Sequence, residues 1–206
     1  GQYDYVNFIF EETFTTGTYR DGNWYDVALT KDGNDLKLYI DGQLEASLTI
    51  NASNVASTGL DTFRIGAMDV SYAAGLGEFY IGQVDEVRVW NTARTCSELD
   101  FYRNCELTGS ETGLMAYYQF NQGDAGADNS TVTTLTDATT NGNDGILNGF
   151  NLAGTTSNWI LDGAVTSGTT CSGSASSPEI TVNDAVIDGT YGSTYLGNTV
   201  TKTFTI

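Results

Sequence analysis

Residues 79 to 90 read FYIGQVDEVRVW, and the fold prediction starts from this stretch. It is the longest run enriched in β-branched and aromatic residues, which favour strands. Alternate side chains of a strand point to opposite faces, so Val87 and Val89 share one face while Arg88 and Trp90 share the other. Both faces carry large apolar groups. The stretch is therefore predicted to be a strand at the centre of a two-layer sandwich.

A short helix is predicted directly after this strand, in residues 91–102. Thr95 is the candidate N-cap, and Glu98 follows at the third helical position, which is the spacing of a capping box. A sheet strand that leads into a lone helix at the rim is uncommon, and this arrangement narrows the choice of fold.

Short strands separated by turns are predicted through the rest of the chain. Asp32-Gly-Asn-Asp indicates a tight hairpin, and Asp41-Gly indicates a second turn. Regular spacing of such strands is typical of an all-β sandwich or jelly roll. Further strands are predicted at 3–10, 24–31, 36–40, 43–50, 62–66, 113–120 and 145–150, with a glycine-rich loop at 67–78 and a polar loop at 121–144.

The charge balance excludes several classes of partner. Twenty-six acidic residues against eight basic ones give a net charge of -18, so nucleic acid and anionic membrane surfaces would be repelled. No apolar run approaches the roughly 20 residues needed to cross a bilayer, so no membrane insertion is expected. Multivalent cations remain favourable partners, although surface acids can equally serve to keep an extracellular protein soluble.

Three cysteines leave at least one without a partner in the chain. We expect a disulfide between Cys105 and Cys171, which would tie the exit segment of the domain to the end of the helix. The competing pair is Cys96 with Cys105, nine residues apart. The chain has no histidine and no CxxC motif, so a zinc site is not expected.

The C-terminal part of the chain differs in composition. Residues 167–177 read SGTTCSGSASS, which is typical of a flexible linker, and the strand pattern resumes after Pro178. The predicted division is a first domain at 1–171, a linker at 172–177 and the start of a second β domain at 178–206. We expect the chain to be a piece of a longer, multidomain surface protein.

Several motifs together resemble a known family. NWYDVALTKDGNDLKLYIDGQL, FRIG and YIGQVDEVRVWNTARTCSEL closely resemble laminin-G-like jelly-roll domains, relatives of pentraxins and legume-lectin-like sandwiches. GLMAYYQFNQG, LTDATTNGNDGILNGF and GTTSNW resemble the closing segments of the version found in large bacterial surface proteins exported by the type IX route. The resemblance implies a concanavalin A-like jelly roll at 1–171 that lacks its N-terminal strands. Residues 178–206 resemble the beginning of an immunoglobulin-like module of bacterial adhesins.

Two loops are candidates for calcium. In pentraxin-like relatives the loop before the central strand donates oxygen ligands to calcium, and Asp69 and Glu78 fall near those positions; the alternative is a solvated acidic loop. The second candidate loop is rich in oxygen side chains but lacks the spacing of an EF-hand. Its residues are equally suited to shape turns through backbone hydrogen bonds. They are Asp137, Asn141, Asn143 and Asp144.

A catalytic site is not expected. Jelly-roll glucanases place three acids at alternating positions of one strand, whereas the corresponding positions here are Gln83, Asp85 and Val87, with Glu86 on the opposite face. That face supplies no acid pair for glycoside hydrolysis. Asp85 is instead expected to accept hydrogen bonds from loop amides.

Exposed aromatic residues are candidates for stacking on sugar rings. The candidates are Trp24, Tyr72, Tyr80 and Trp159, of which Tyr72 and Tyr80 are assigned to a ligand site. Trp24 and Trp159 are the better candidates for core or edge packing.

Three functions remain. The first is an extracellular adhesin module that binds a cell-surface glycan or glycoprotein with the help of calcium. The second is a structural subunit of an extracellular filament, with neighbouring domains or further copies as partners. The third, a glycan-cleaving enzyme, is disfavoured by the missing acids.

Overall fold

The computed structural model describes residues 19, 21–49, 63–70, 75–77, 79–154, 158–161 and 163–172, with the backbone alone described at 68–70 and 75–77. The chain divides into two compact units, Gly1–Ala175 and Ser176–Ile206, and every described residue belongs to the first. The predicted strand at 3–10 and the predicted second domain at 178–206 lie outside the described residues.

The fold is all-β with one short helix, as the sequence predicts. Among the described residues the strands pair antiparallel in four small sheets, ordered β1-β2-β3, β4-β5, β6-β7 and β8-β9. The elements are β1 (Val27–Asp32), β2 (Asp35–Ile40), β3 (Gln43–Thr49), β4 (Met68–Val70), β5 (Gly75–Gly77), β6 (Val87–Trp90), α1 (Cys96–Tyr102), β7 (Leu114–Tyr118), β8 (Thr134–Leu135) and β9 (Gly145–Ile146).

Both predicted turns of the first sheet are present. Asp32 pairs with Asp35 across the first turn, and Ile40 pairs with Gln43 across the second. Asp41 and Gly42 both have positive φ, at 48° and 74°, which is the conformation of a tight two-residue hairpin turn. Short-range sequence chemistry therefore sets the register of this sheet.

The central strand is shorter than predicted. β6 begins only at Val87, and residues 79–86 are not part of a strand. Glu86 has a φ of 54°, a left-handed conformation that a side-chain-bearing residue rarely adopts and that interrupts an extended strand. The predicted alternation is therefore wrong for residues 79–86 and holds only from Val87 onward.

The paired strands β6 and β7 are packed on both faces, as the sequence indicates. Val87 and Val89 pack against a cluster formed by Ala116, Tyr118, Leu135 and Trp159. Trp90 belongs to the opposite cluster, which is centred on the buried side chains of Leu107, Leu114 and Tyr117.

A bulge in β7 brings two of these side chains together. Val89 pairs with Ala116 but Trp90 pairs with Leu114, so Met115 is the extra residue and is exposed. The extra residue shifts the alternation, so that Leu114 and Tyr117 enter the same cluster.

Three local predictions are wrong. Residues 63–67 do not form a strand, and the predicted glycine-rich loop at 67–78 contains the hairpin of β4 and β5. The polar segment at 121–144 also contains β8, although that strand is only two residues long. Strands this short leave too little pattern for a sequence-based prediction.

Candidate functional site

The helix α1 begins with the predicted capping box. The Thr95 hydroxyl accepts a hydrogen bond from the backbone N–H of Glu98 at 3.3 Å, and the Glu98 carboxylate accepts one from the backbone N–H of Thr95 at 2.8 Å. These bonds satisfy two backbone donors that the helix itself leaves unpaired. They also hold the Glu98 carboxylate in one orientation.

Arg94 lies between this carboxylate and an aromatic ring. Its guanidinium carbon is 4.0 Å from the centroid of the Trp90 ring, and its Nη2 atom is 3.1 Å from Glu98 Oε1. Only 13% of the Arg94 side chain is exposed. The cation–π contact and the ion pair fix this arginine against the end of β6.

A second carboxylate is held in the segment facing the helix. Glu111 accepts hydrogen bonds from the backbone N–H groups of Thr108, at 2.7 Å, and Gly109, at 3.0 Å, and from the Thr108 hydroxyl at 2.9 Å. Burial alone would raise the pKa of Glu111, but these hydrogen bonds outweigh it and lower the pKa. Glu111 is therefore ionised at neutral pH.

A cleft lies between these two parts of the molecule; we call it the helix cleft. It has a volume of about 540 Å³ and opens to solvent. One wall contains Thr92, Arg94, Glu98 and Tyr102, and the other is formed by residues 110–112. Hydroxyl groups, two oriented carboxylates and an aromatic ring thus surround one open space.

The disulfide joins the region to the exit segment. Cys105 is bonded to Cys171, whose Cα atom is 4.9 Å away, and Cys96 is free and exposed. This is the pairing that the sequence analysis expects over Cys96 with Cys105. The Glu106 carboxylate accepts further hydrogen bonds from the side chain of Asn121 and the backbone of Gly168, at 2.6 and 2.8 Å.

The loop around Asp137 is organised by hydrogen bonds. The Asp137 carboxylate accepts bonds from the backbone N–H groups of Tyr117, Thr139 and Asn143 and from the Thr139 hydroxyl, all at 2.9 Å. Burial would raise the pKa of Asp137, but these hydrogen bonds prevail and lower it. A carboxylate has about four lone-pair positions, and these four donors occupy them. Asp137 therefore does not fit a calcium ligand.

The other members of that candidate metal loop also bind the protein. The side-chain amides of Asn141 and Asn143 both donate to the Met115 carbonyl at 2.9 Å, which supports the bulge in β7. Asp144 accepts a hydrogen bond from the backbone N–H of Asp137 at 2.8 Å. The contacts match the turn-shaping interpretation of this loop.

Asp85 holds a distant segment of chain. Its carboxylate accepts hydrogen bonds from the backbone N–H groups of Glu86, at 3.1 Å, and Val165, at 3.2 Å, eighty residues away. Asp85 thus makes the contact with a loop amide that the sequence analysis expects.

Glu86 belongs to a separate, partly buried network. Its Oε2 atom accepts hydrogen bonds from Arg88 Nη2 at 2.5 Å and from the Tyr117 hydroxyl at 2.6 Å. Burial raises the pKa of Glu86, and the hydrogen bonds from Tyr117 and Arg88 oppose that rise. Burial, together with the bond to Glu86, raises the pKa of Tyr117 above its ordinary range. Arg88 also donates to the carbonyls of Tyr102 and Cys105, both at 2.7 Å, so the network joins β6 to the end of the helix.

The first calcium candidates are not brought into a describable site. Asp69 lies in β4, where its backbone pairs with Leu76 of β5, so it stands in a hairpin strand and not in a loop. Glu78 and Tyr72 lie outside the described residues. Within the part of the chain that the structure describes, no group of three or more acidic or cysteine residues could hold a metal ion. Calcium at Asp69 and Glu78 stays a prediction.

The aromatic candidates separate by exposure. Tyr80 is 60% exposed and Trp24 is 36% exposed, whereas Trp159 is buried in the cluster beneath β6. Gly123 lies so close to the Trp159 ring that a Cβ atom there would be 2.3 Å from it. Trp159 is therefore a core residue, which agrees with the predicted core or edge packing.

The helix cleft was not found from the sequence. Arg94 and Glu98 stand four residues apart beside Trp90, a spacing that favours an ion pair on a helix. This spacing was the sequence signal that could have pointed to the cleft. The facing wall at 110–112 comes from a different part of the chain, which local pattern does not connect to the helix.

Comparisons with known proteins support the fold class. A laminin G family model, described as the "Concanavalin A-like lectin/glucanases superfamily", matches residues 5–100, which is 96 of the 206 residues. No curated protein matches the chain significantly. No helix in the described part of the chain is long and apolar enough to cross a membrane.

One solved structure shows a weak similarity. It is an S-layer domain-containing protein (residues 221–444) from Clostridium thermocellum ATCC 27405, with 22% sequence identity and a TM-score of 0.34. The alignment covers 41% of this chain and 41% of that chain. A likeness at this level carries no argument about function.

Proposed function

We propose that this chain is an extracellular surface module that binds a cell-surface glycan or glycoprotein. The observation that carries the proposal is the match of residues 5–100 to a superfamily of lectins and glucanases. Binding and hydrolysis both occur under that description. The positions and hydrogen bonds of the acidic residues decide between the two functions.

The acids favour binding over hydrolysis. Glycoside hydrolysis needs one acid that can protonate the leaving group and a second that acts as nucleophile or base. The positions matched to the glucanase acids are Gln83, Asp85 and Val87, of which only Asp85 is acidic, and its carboxylate accepts backbone hydrogen bonds from Glu86 and Val165. We therefore propose a module without catalytic activity. Turnover of laminarin that disappears in Asp85→Asn would contradict this.

The extracellular location is supported by the disulfide. Disulfides persist in oxidising environments outside the cytosol, and Cys105 is bonded to Cys171 here. The net charge of -18 suits a soluble, exposed surface. The segments from residue 113 onward resemble those of large bacterial surface proteins exported by the type IX route. This resemblance supports the proposal that the chain belongs to such a protein. Loss of surface display in a strain lacking that route would test this.

We assign calcium to Asp69 and Glu78 as part of the same proposal. Calcium takes six to eight oxygen ligands, so these two carboxylates would need backbone carbonyls as well. Titration calorimetry with calcium, on the chain and on Asp69→Asn, tests the assignment. Equal heats for the two proteins would remove the site, and Asp137→Asn serves as the control because its carboxylate is occupied by donors.

Glycan binding itself is tested on an array. The chain should bind a subset of immobilised glycans, and Tyr80→Ala should weaken that binding because the Tyr80 side chain is 60% exposed and a tyrosine ring can stack on a sugar. Trp24→Ala is the matched aromatic control. A chain that binds no glycan and no glycoprotein would overturn the proposed function.

A subunit of an extracellular filament is the second candidate. It is favoured by apolar side chains on one face of the first sheet: Val27 is 63% exposed, Leu29 is 45% exposed and Leu48 is 39% exposed. Apolar faces of this kind are often covered by another protein surface. Sedimentation of the purified chain and electron microscopy of the native protein would distinguish a filament subunit from a monomeric binding module.

A further inference from the structure

We propose that the helix cleft is a binding site for a neutral saccharide. This inference rests on the proposed function, since it takes a glycan as the ligand, but it uses different residues from the candidate site at Tyr80 and Asp69. The argument depends on the shape of the cleft, on its hydrogen-bonding groups and on its charge.

The cleft has the size of a small-ligand site. Its volume of about 540 Å³ falls within the roughly 300–1,000 Å³ that is typical of ligand pockets. Thr92, Ser110 and Thr112 line it and are all exposed, and the Ser110 hydroxyl also shares a hydrogen bond with the Thr108 hydroxyl at 2.7 Å. Hydroxyl groups both donate and accept hydrogen bonds, so they can pair with the hydroxyl groups of a sugar ring, which do the same.

Both carboxylates of the cleft are oriented before any ligand arrives. Glu98 accepts bonds from the backbone and hydroxyl of Thr95 and from Arg94, while Glu111 accepts three bonds from Thr108 and Gly109. A carboxylate offers about four lone-pair positions, so Glu98, with three donors, retains one for a ligand hydroxyl. Groups that are already held in place lose little entropy on binding.

The charge of the cleft selects against anionic ligands. Arg94 is paired with Glu98, and the negative charge of Glu111 remains, so two carboxylates face one guanidinium. A sialylated or uronate-containing glycan would bring a further negative charge to a chain of net charge -18. A neutral hexose oligosaccharide meets the same hydroxyl and carboxylate groups without that repulsion.

The test compares two substitutions of the same chemistry. Thr112→Trp places a bulky side chain in the cleft, and Thr131→Trp places it at an exposed threonine that does not line the cleft. Both proteins and the unchanged chain are applied to an array of neutral gluco-, galacto- and manno-oligosaccharides beside sialylated and uronate-containing glycans. We expect Thr112→Trp to weaken binding of a neutral glycan by about tenfold, the effect of losing one or two good hydrogen bonds. Thr131→Trp should bind as the unchanged chain does.

A milder variant keeps the test decisive if Thr112→Trp disturbs folding. Ser110→Ala removes one hydroxyl from the wall and should weaken the same binding by about threefold, in line with one hydrogen bond. A thermal melt of each variant checks that the fold is intact.

The outcomes separate this inference from the proposed function. A neutral glycan that binds the unchanged chain and both cleft variants equally would overturn the cleft site and leave the proposed function standing. Preferential binding of anionic glycans that Thr112→Trp abolishes would overturn the neutral class of ligand. A chain that binds no glycan on the array would overturn the cleft site together with its premise.

Discussion

Gly109 connects the wall of the helix cleft to the Asp137 loop. Its φ is 83°, and a Cβ atom at this position would lie 2.2 Å from the carbonyl oxygen of Ala138. No real Cβ contact is that short, so a side chain would push the two segments apart. The same glycine also donates its backbone N–H to Glu111, which orients that carboxylate toward the cleft.

We predict that Gly109→Ala destabilises the domain more than a glycine substitution of equal backbone strain. Gly126 has a φ of 69° but no atom within 4 Å of its Cβ position, so Gly126→Ala isolates the cost of the left-handed conformation. That cost is about 1 kcal/mol, whereas Gly109→Ala adds a backbone clash and should cost about 3 kcal/mol or more. Urea denaturation measures both, and equal losses would contradict the prediction.

We also predict that the contribution of Asp137 to stability depends on pH. Asp137→Asn replaces one acceptor oxygen with a donor that faces N–H and O–H groups, so it should cost about 2 kcal/mol at neutral pH. Because the folded protein lowers the pKa of Asp137, its stabilisation is present above the ordinary value of 3.8 and is lost as the pH falls through the lower folded value.

Urea denaturation from pH 7 to pH 2 checks this sign. The stability difference between the unchanged chain and Asp137→Asn should shrink below pH 3.8. Asp124→Asn, at an exposed aspartate, is the control and should change little. A difference that stays constant down to pH 2 would show that the carboxylate charge is not what the donors stabilise.

At the scale of elements, α1 depends on its cap. It has seven residues and none of them is buried, which is far below the length at which an isolated helix is stable in water. The capping box, and the ion pair of Glu98 with Arg94, therefore add to the stability that the packing of Tyr102 provides.

Loss of this cap should be measurable. Thr95→Ala is expected to lower the free energy of unfolding by about 1 kcal/mol, while Thr95→Ser keeps the hydroxyl and should lose only a small part of that. Chemical denaturation followed by circular dichroism measures both variants. If Thr95→Ser costs as much as Thr95→Ala, the hydroxyl is not the stabilising group.

At the scale of the whole domain, the disulfide closes a long covalent loop. Cys105 and Cys171 are separated by 66 residues, and their bond places the exit segment beside the end of the helix. The chain-entropy model gives about 4 kcal/mol for a loop of this length. The double change Cys105→Ser and Cys171→Ser should lower stability by about that amount.

Cys96→Ser is the control for this prediction. Cys96 is free and exposed, so its replacement should leave stability unchanged. Peptide mapping without reduction should recover Cys105 joined to Cys171. Recovery of Cys96 joined to Cys105 would refute the pairing.

Features that depend on neighbours in the chain were predictable from the sequence. The capping box at Thr95 and Glu98 and the turn at Asp41-Gly42 were predicted because a few adjacent residues supply all the groups that they need. The packing of both faces from Val87 to Trp90 was predicted because strand alternation alone assigns side chains to faces.

Features that join distant segments follow from packing and were not predictable from local patterns. Glu86 adopts positive φ and its carboxylate binds Tyr117, 31 residues away, so the strand that the pattern extended to residue 79 begins only at Val87. Asp137 is saturated by donors that include the backbone of Tyr117, so a loop with the composition of a metal site became a structural one. The helix cleft likewise forms between segments that the chain path brings together. Local patterns report which groups a segment carries, whereas packing decides which partners those groups meet.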